Sequence, residues 1–156
     1  MRRNDTSIIG GQAEQRAAAL LRERGFEVTN LNDVRANNPL YDLRAAKDGH
    51  TIQISVKCAR AKREIRLGRP RMLRQLADDG VVMAFLPIAK GRDIDLTPGG
   101  YELWIIPGAA ARDDALAAHD HYARSHPGSA DHSVMVKDKL DRTPDTRSGA
   151  VFHRWR

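Results

Sequence analysis

Cysteine is almost missing from this sequence, with Cys58 alone among 156 residues. An intramolecular disulfide is thereby excluded, and with it a small disulfide-stapled scaffold. Aromatic residues make up only 5% of the chain, which disfavours recognition of single strands by base stacking. No apolar run approaches the roughly 18 residues that a membrane-spanning helix needs, so no membrane partner is expected. The opening stretch MRRNDTSIIGG is basic but lacks the apolar segment of a secretion signal, and a reducing cytoplasm is the expected location. There is no internal repeat.

Positive charge is what the chain has in excess, at a formal +6. Its placement is more telling than its total. Between Lys57 and Arg74 lie eight basic residues against one acid, Glu64, so this window alone carries +7 and the remainder of the chain −1. A basic surface of this kind calls for a nucleic-acid partner. Arg60, Lys62, Arg63, Arg66, Arg69, Arg71 and Arg74 are the candidate backbone contacts. Taken in isolation, the same run also reads as a solvated basic loop.

With 41% hydrophobic residues, the chain fits one globular domain that buries roughly two-thirds of its unfolded surface. Ala13, Ala17, Leu20 and Leu21 recur at helical spacing, predicting a helix from Gln12 to Arg24 that stops at Gly25. Glu14 lies at the border of that apolar stripe. Residues 26–30 alternate as a short strand, and 31–39 read as a polar turn segment. Two alternating runs, residues 41–46 and 51–57, then flank Lys47-Asp48-Gly49-His50, a strong hairpin signal. With Asp48-Gly49 as a two-residue loop, Asp42 faces Ser55 and Arg44 faces Gln53. Asp42, Arg44, Gln53, Ser55 and Lys57 then share one polar face, expected to border a cleft, and Leu43, Ala45, Ile52, Ile54 and Val56 share an apolar one. Beyond the basic stretch, Pro70 opens an expected helix over Arg71–Asp79. Val81–Ile88 reads as a buried central strand, Tyr101–Ile106 as another, and Ala109–Arg124 as a helix. From Ser125 onward the composition predicts an irregular tail, returning to the core through Val151, Phe152 and Trp155.

Taken together, the order helix, strand, hairpin, helix, strand, with Glu14 in GGQAEQRAAALL, Asp42 in PLYDL and Ser55-Val56-Lys57 in IQISVK, resembles the PD-(D/E)XK (restriction-endonuclease-like) superfamily. Its motif is an acid on the first helix, an aspartate near the start of one strand and acid-x-Lys on the next. The likeness spans about Gln12 to Ile88. It implies an α/β fold with a restriction-endonuclease-like core over residues 1–124, a central mixed four- to five-stranded sheet flanked by helices. Residues 125–156 would form an irregular C-terminal extension packed on that core.

The implied activity is Mg²⁺-dependent (or Mn²⁺-dependent) endonucleolytic cleavage of DNA, with double-stranded DNA as partner and a homodimer as one route to cutting both strands. Carboxylates hold the divalent cation such chemistry uses. Asp42 would be the central ligand, and Glu14 would contribute directly or through a water. Lys57 lies two residues beyond Ser55, about 6–7 Å along the strand, suited to position the attacking water or stabilise the phosphate. The departure from the motif is Ser55, a weaker ligand than Asp or Glu. Gln53 on the same face, or Glu14, would then complete the site. Two alternatives arise from that serine and from the basic loop: a catalytically silent DNA-binding relative, and an RNA-directed nuclease or binder.

Simpler roles stand beside these. Asp42 can pair with Arg44 or Lys57, and Glu14 can complement the positive end of its helix. Gln75 reads as a surface residue and Cys58 as an inert core thiol. His119 and His121 point far apart on a helix and do not share an ion easily.

Overall fold

The structure, a computed structural model, describes residues 3–34, 40–61, 65–68, 70–77, 79–126, 134–136 and 153–154. Helix α1 spans Arg3–Glu23, starting well before the expected Gln12. Gly10 and Gly11 lie inside it because propagation adds one hydrogen bond per residue, which outweighs the modest helical cost of glycine. Its C-terminus matches the expected stop. Gly25 takes φ 86°, its N–H donates to Arg22 O (3.0 Å), and the Phe26 N–H donates to Leu21 O (3.1 Å). This pair of bonds is the Schellman arrangement. Lys47 Nζ then donates to Arg24 O at 2.7 Å, tying the helix end to the sheet.

The sheet is mixed. Strands β1 (Glu27–Asn30), β2 (Leu43–Lys47) and β3 (His50–Cys58) form an antiparallel meander, and β3 pairs in parallel with β5 (Val81–Pro87). Strand β6 (Tyr101–Pro107) closes the order β1-β2-β3-β5-β6, and the two-residue β8 (His153–Arg154) pairs along its outer edge. From Leu43 to His50 the hairpin register agrees with the sequence reading, Leu43 pairing with Ile54, Arg44 with Gln53 and Lys47 with His50. The expected Asp42–Ser55 pair is not part of the ladder, because the Asp42 N–H donates to Ile54 O instead. Asp48 (φ 51°) and Gly49 (φ 78°) form the loop, the two positive φ angles that a type I′ turn requires.

Each face of the sheet is covered. On one side α1 packs Ala13, Ala17, Ala18 and Leu21 against Leu43, Ala45, Ile54, Met83 and Phe85. On the other lie β4 (Ile65–Gly68), α3 (Pro70–Leu73) and α4 (Gly108–Ser125), whose Ile65, Leu67, Leu73, Ala111 and Ala115 meet Val82, Ala84 and Leu86. The architecture is thus α/β, a five-stranded mixed sheet flanked by helices and lengthened by β8.

Several expectations are revised. The polar segment after β1 contains the one-turn helix α2 (Leu31–Val34), while residues 35–39 lie outside the described residues. The helix expected over Arg71–Asp79 is a single turn. Its continuation is broken because Gln75 and Leu76 bond back three residues, to Met72 O and Leu73 O, and side chains from elsewhere in the fold engage the next backbone groups. Arg112 Nη1 donates to Leu76 O at 2.9 Å, and the Ala77 N–H donates to the Tyr41 hydroxyl at 2.8 Å.

The basic stretch is not simply a loop. Ile65 and Leu67 point inward and Arg66 outward, and β4 pairs with β7 (Val134–Val136) from the C-terminal segment. That segment, expected to be irregular, therefore contributes β7 and β8 to pairing. Val151, Phe152 and Trp155 lie outside the described residues.

Candidate active site

Strand β2 begins at Leu43, whereas β3 runs on to Cys58, so the β2–β3 ladder stops part-way along β3. Asp42 sits at that gap. Its N–H donates to Ile54 O at 2.9 Å, and its carboxylate Oδ2 accepts a 2.7 Å hydrogen bond from the Val56 N–H, where the next ladder bond would fall. Ladder bonds lie near the plane of the sheet, so the Asp42 carboxylate is held at the sheet's split. Its backbone is fixed too, because Asp42 O accepts from the Leu31 N–H at 2.9 Å.

Glu14 reaches the same place from α1. The two carboxylates meet closely enough that Asp42 raises the pKa of Glu14, adding to the larger effect of partial burial. Opposing both, the side chains of Asn32 and Asn30 hydrogen-bond the Glu14 carboxylate and favour its charge. The Asn32 amide donates to Glu14 Oε2 at 3.3 Å. Neither asparagine was singled out from the sequence. The signal was only that Asn30 directly precedes a short helix, the usual place for a cap.

The remaining strand residues divide by register. Ser55 pairs with Val82 and Lys57 with Ala84, and both partners belong to the core on the α3/α4 side. Neighbours across a ladder share a face, so Ser55 and Lys57 point to that side, opposite the one against which α1 packs. Ser55 is only 3% exposed, so it does not lie on an open polar surface as the hairpin reading expected. Lys57 is half-buried, and its side chain makes no hydrogen bond or ion pair among the described residues. Gln53, opposite Arg44 and nearer the hairpin loop, is exposed.

Of the basic residues, Arg66, Arg71 and Arg74 are exposed on β4 and in and just after α3, the layer covering the Lys57 face. Arg60 is half-buried, with one guanidinium nitrogen 3.7 Å from Asp93 and Nη1 buried without a partner among the described residues. Lys62, Arg63 and Arg69 lie outside the described residues. Burial pushes the Cys58 thiol up to about 11, against the pull of Arg60, which leaves it a poor nucleophile.

No group of three or more His, Cys, Asp or Glu residues gathers at one point among the described residues. The Glu14–Asp42 pair still fits Mg²⁺, which keeps several waters and is commonly bound through one or two carboxylates. A cation between them would relieve the repulsion that raises the Glu14 pKa. Compared with known proteins, the chain matches no family model and no curated sequence.

Proposed function

We propose that this protein is a Mg²⁺-dependent (or Mn²⁺-dependent) endonuclease of the PD-(D/E)XK type that cleaves DNA. The observation that supports this most directly is the convergence of Glu14 and Asp42 at the end of the β2–β3 ladder. Two carboxylates pressed together and partly buried are costly unless a cation joins them. The order α1, β1, the β2–β3 hairpin, α3 and β5, with the one-turn α2 and the short β4 interposed, supports this reading.

In this reading Asp42 and Glu14 hold the cation, which when bound activates a water and offsets charge on the phosphate oxygens. Asp42 also keeps the split at its width through Val56. Lys57, whose ammonium is unpaired among the described residues, would approach from the face opposite α1 and meet the extra negative charge that develops on the phosphate. The exposed Arg66, Arg71 and Arg74 hold the DNA backbone on the same side of the sheet. Ser55 is too buried to serve as a ligand, so Glu14 takes the place of the missing motif acid. One copy would nick a strand, and a homodimer would cut both.

A second reading rests on that same serine: a silent DNA-binding relative that has lost turnover. Incubation of the purified protein with supercoiled plasmid and Mg²⁺ or Mn²⁺ separates the two. Nicked or linear product that disappears in an Asp42→Asn variant supports the enzyme, and retardation without product supports the silent binder. Equal cleavage of an RNA duplex would turn the assignment toward RNA.

A further inference from the structure

Three residues, Asn30, Leu31 and Asn32, engage both acidic residues of the candidate site. The Leu31 N–H donates to Asp42 O at 2.9 Å. Asn30 Oδ1 accepts the Asn32 N–H at 2.9 Å, capping α2. With its oxygen so engaged, the Asn30 amide nitrogen is the group available to bond the Glu14 carboxylate. The Asn32 side chain donates to Glu14 Oε2 at 3.3 Å. Asn30 is also the last residue of β1, opposite Leu43, the neighbour of Asp42. One short segment therefore sets where Asp42 stands and how Glu14 turns.

We infer that Asn32, seated by the Asn30 cap, is a positioning residue that turns the Glu14 carboxylate toward Asp42 so that the two hold a divalent cation together. The inference rests on the metal-dependent reading above and adds to it the group that orders the second ligand. Physically, a glutamate at the end of three rotatable bonds loses side-chain entropy when it binds a metal. A partner that fixes it beforehand removes much of that loss, and outer partners of metal ligands commonly affect affinity by about 10–100-fold. The hydrogen bond also links α2, a helix of a single turn, to α1 across 18 residues of chain.

The test uses the full chain without nucleic acid, stripped of metal and titrated with Mn²⁺, free ion being followed by its electron paramagnetic resonance. Asn32→Leu is expected to weaken Mn²⁺ binding about tenfold, with the circular dichroism spectrum unchanged. In a Glu14→Gln background the same change is expected to have less than about a twofold effect, because the group it orders is gone. Asn32→Ala serves in the same cycle if the leucine variant does not fold. Equal losses in both backgrounds would assign Asn32 a purely structural role and overturn the inference. Unchanged Mn²⁺ affinity in Asn32→Leu, with binding abolished in Asp42→Asn, would overturn it while leaving the metal reading intact. Absence of Mn²⁺ binding by the unaltered protein would overturn both.

Discussion

The Asp42 carboxylate takes the place of a backbone carbonyl, accepting the Val56 N–H at 2.7 Å where the β2–β3 ladder ends. One side chain thus ends a ladder and presents an acid, and the two roles separate by substitution. Asp42→Asn keeps an oxygen for the Val56 N–H and removes the charge. Asp42→Ala strands that donor, at a cost of about 1–3 kcal/mol. For a chain of this length each kcal/mol moves the melting temperature by about 2–4 °C. Thermal denaturation should therefore find Asp42→Asn close to the parent and Asp42→Ala clearly lower, with Mn²⁺ binding abolished in both. Equal melting temperatures for the two variants would show that the bond to Val56 contributes nothing.

Glu14 gives a pH-dependent prediction. Its pKa is raised above the ordinary 4.5, first by burial and then by Asp42, so the folded protein holds that proton more tightly than the unfolded chain. Glu14 therefore contributes most favourably below its unfolded pKa, and the contribution is lost as pH rises through the folded value. Glu14→Gln in EDTA should be more stable than the parent at pH 7, with the difference closing near pH 4. Mn²⁺ should stabilise the parent more than the variant. Melting curves at the two pH values check this, and a variant less stable at pH 7 would reverse the electrostatic account.

How much of this was visible in the residues themselves depends on how local each determinant is. The Asp48-Gly49 loop fixed the hairpin register because positive φ at two successive positions is a local demand, and Gly25 marked the end of α1 for the same reason. Ser55 was legible as to its face but not its burial, since the residues that cover that face come from β4, α3 and α4, later in the chain. The early end of α3 depends on Tyr41 and Arg112, each 36 residues away from its partner. Asn32 is visible only through its hydrogen bond to Glu14, a contact between residues 18 apart that no spacing rule anticipates. The pairing of β4 with β7 is likewise long-range, although Ile65-Arg66-Leu67 already carried a strand's alternation.

The burial of Ser55 yields a third prediction. Ser55→Glu restores the motif acid in sequence but sets a carboxylate at a position 3% exposed beside Val82. An unpaired charge there should cost on the order of several kcal/mol. The urea midpoint should fall sharply, and plasmid cleavage should not rise. A stable variant with tighter Mn²⁺ binding would mean that Ser55 does border the metal.

Electrostatics supply a fourth. Replacing Arg66, Arg71 and Arg74 together with glutamine should weaken duplex binding and lower the slope of log K against log salt by about 0.9 for each phosphate no longer neutralised. Fluorescence anisotropy on a labelled duplex at several salt concentrations measures it. An unchanged slope would remove this layer from the interface.

Glu14 and Asp42 at the end of the β2–β3 ladder, with Lys57 approaching from the opposite face of the sheet, are proposed as a metal-dependent phosphodiesterase centre. The most direct test of that proposal is the conversion of supercoiled plasmid by the purified chain in Mg²⁺ or Mn²⁺, with EDTA, Asp42→Asn and Lys57→Ala run in parallel. Nicked or linear DNA is expected from the parent alone, with the variants folded and still retarding DNA on a gel. No product from the parent in either metal, or product equally strong from Asp42→Asn, would contradict it.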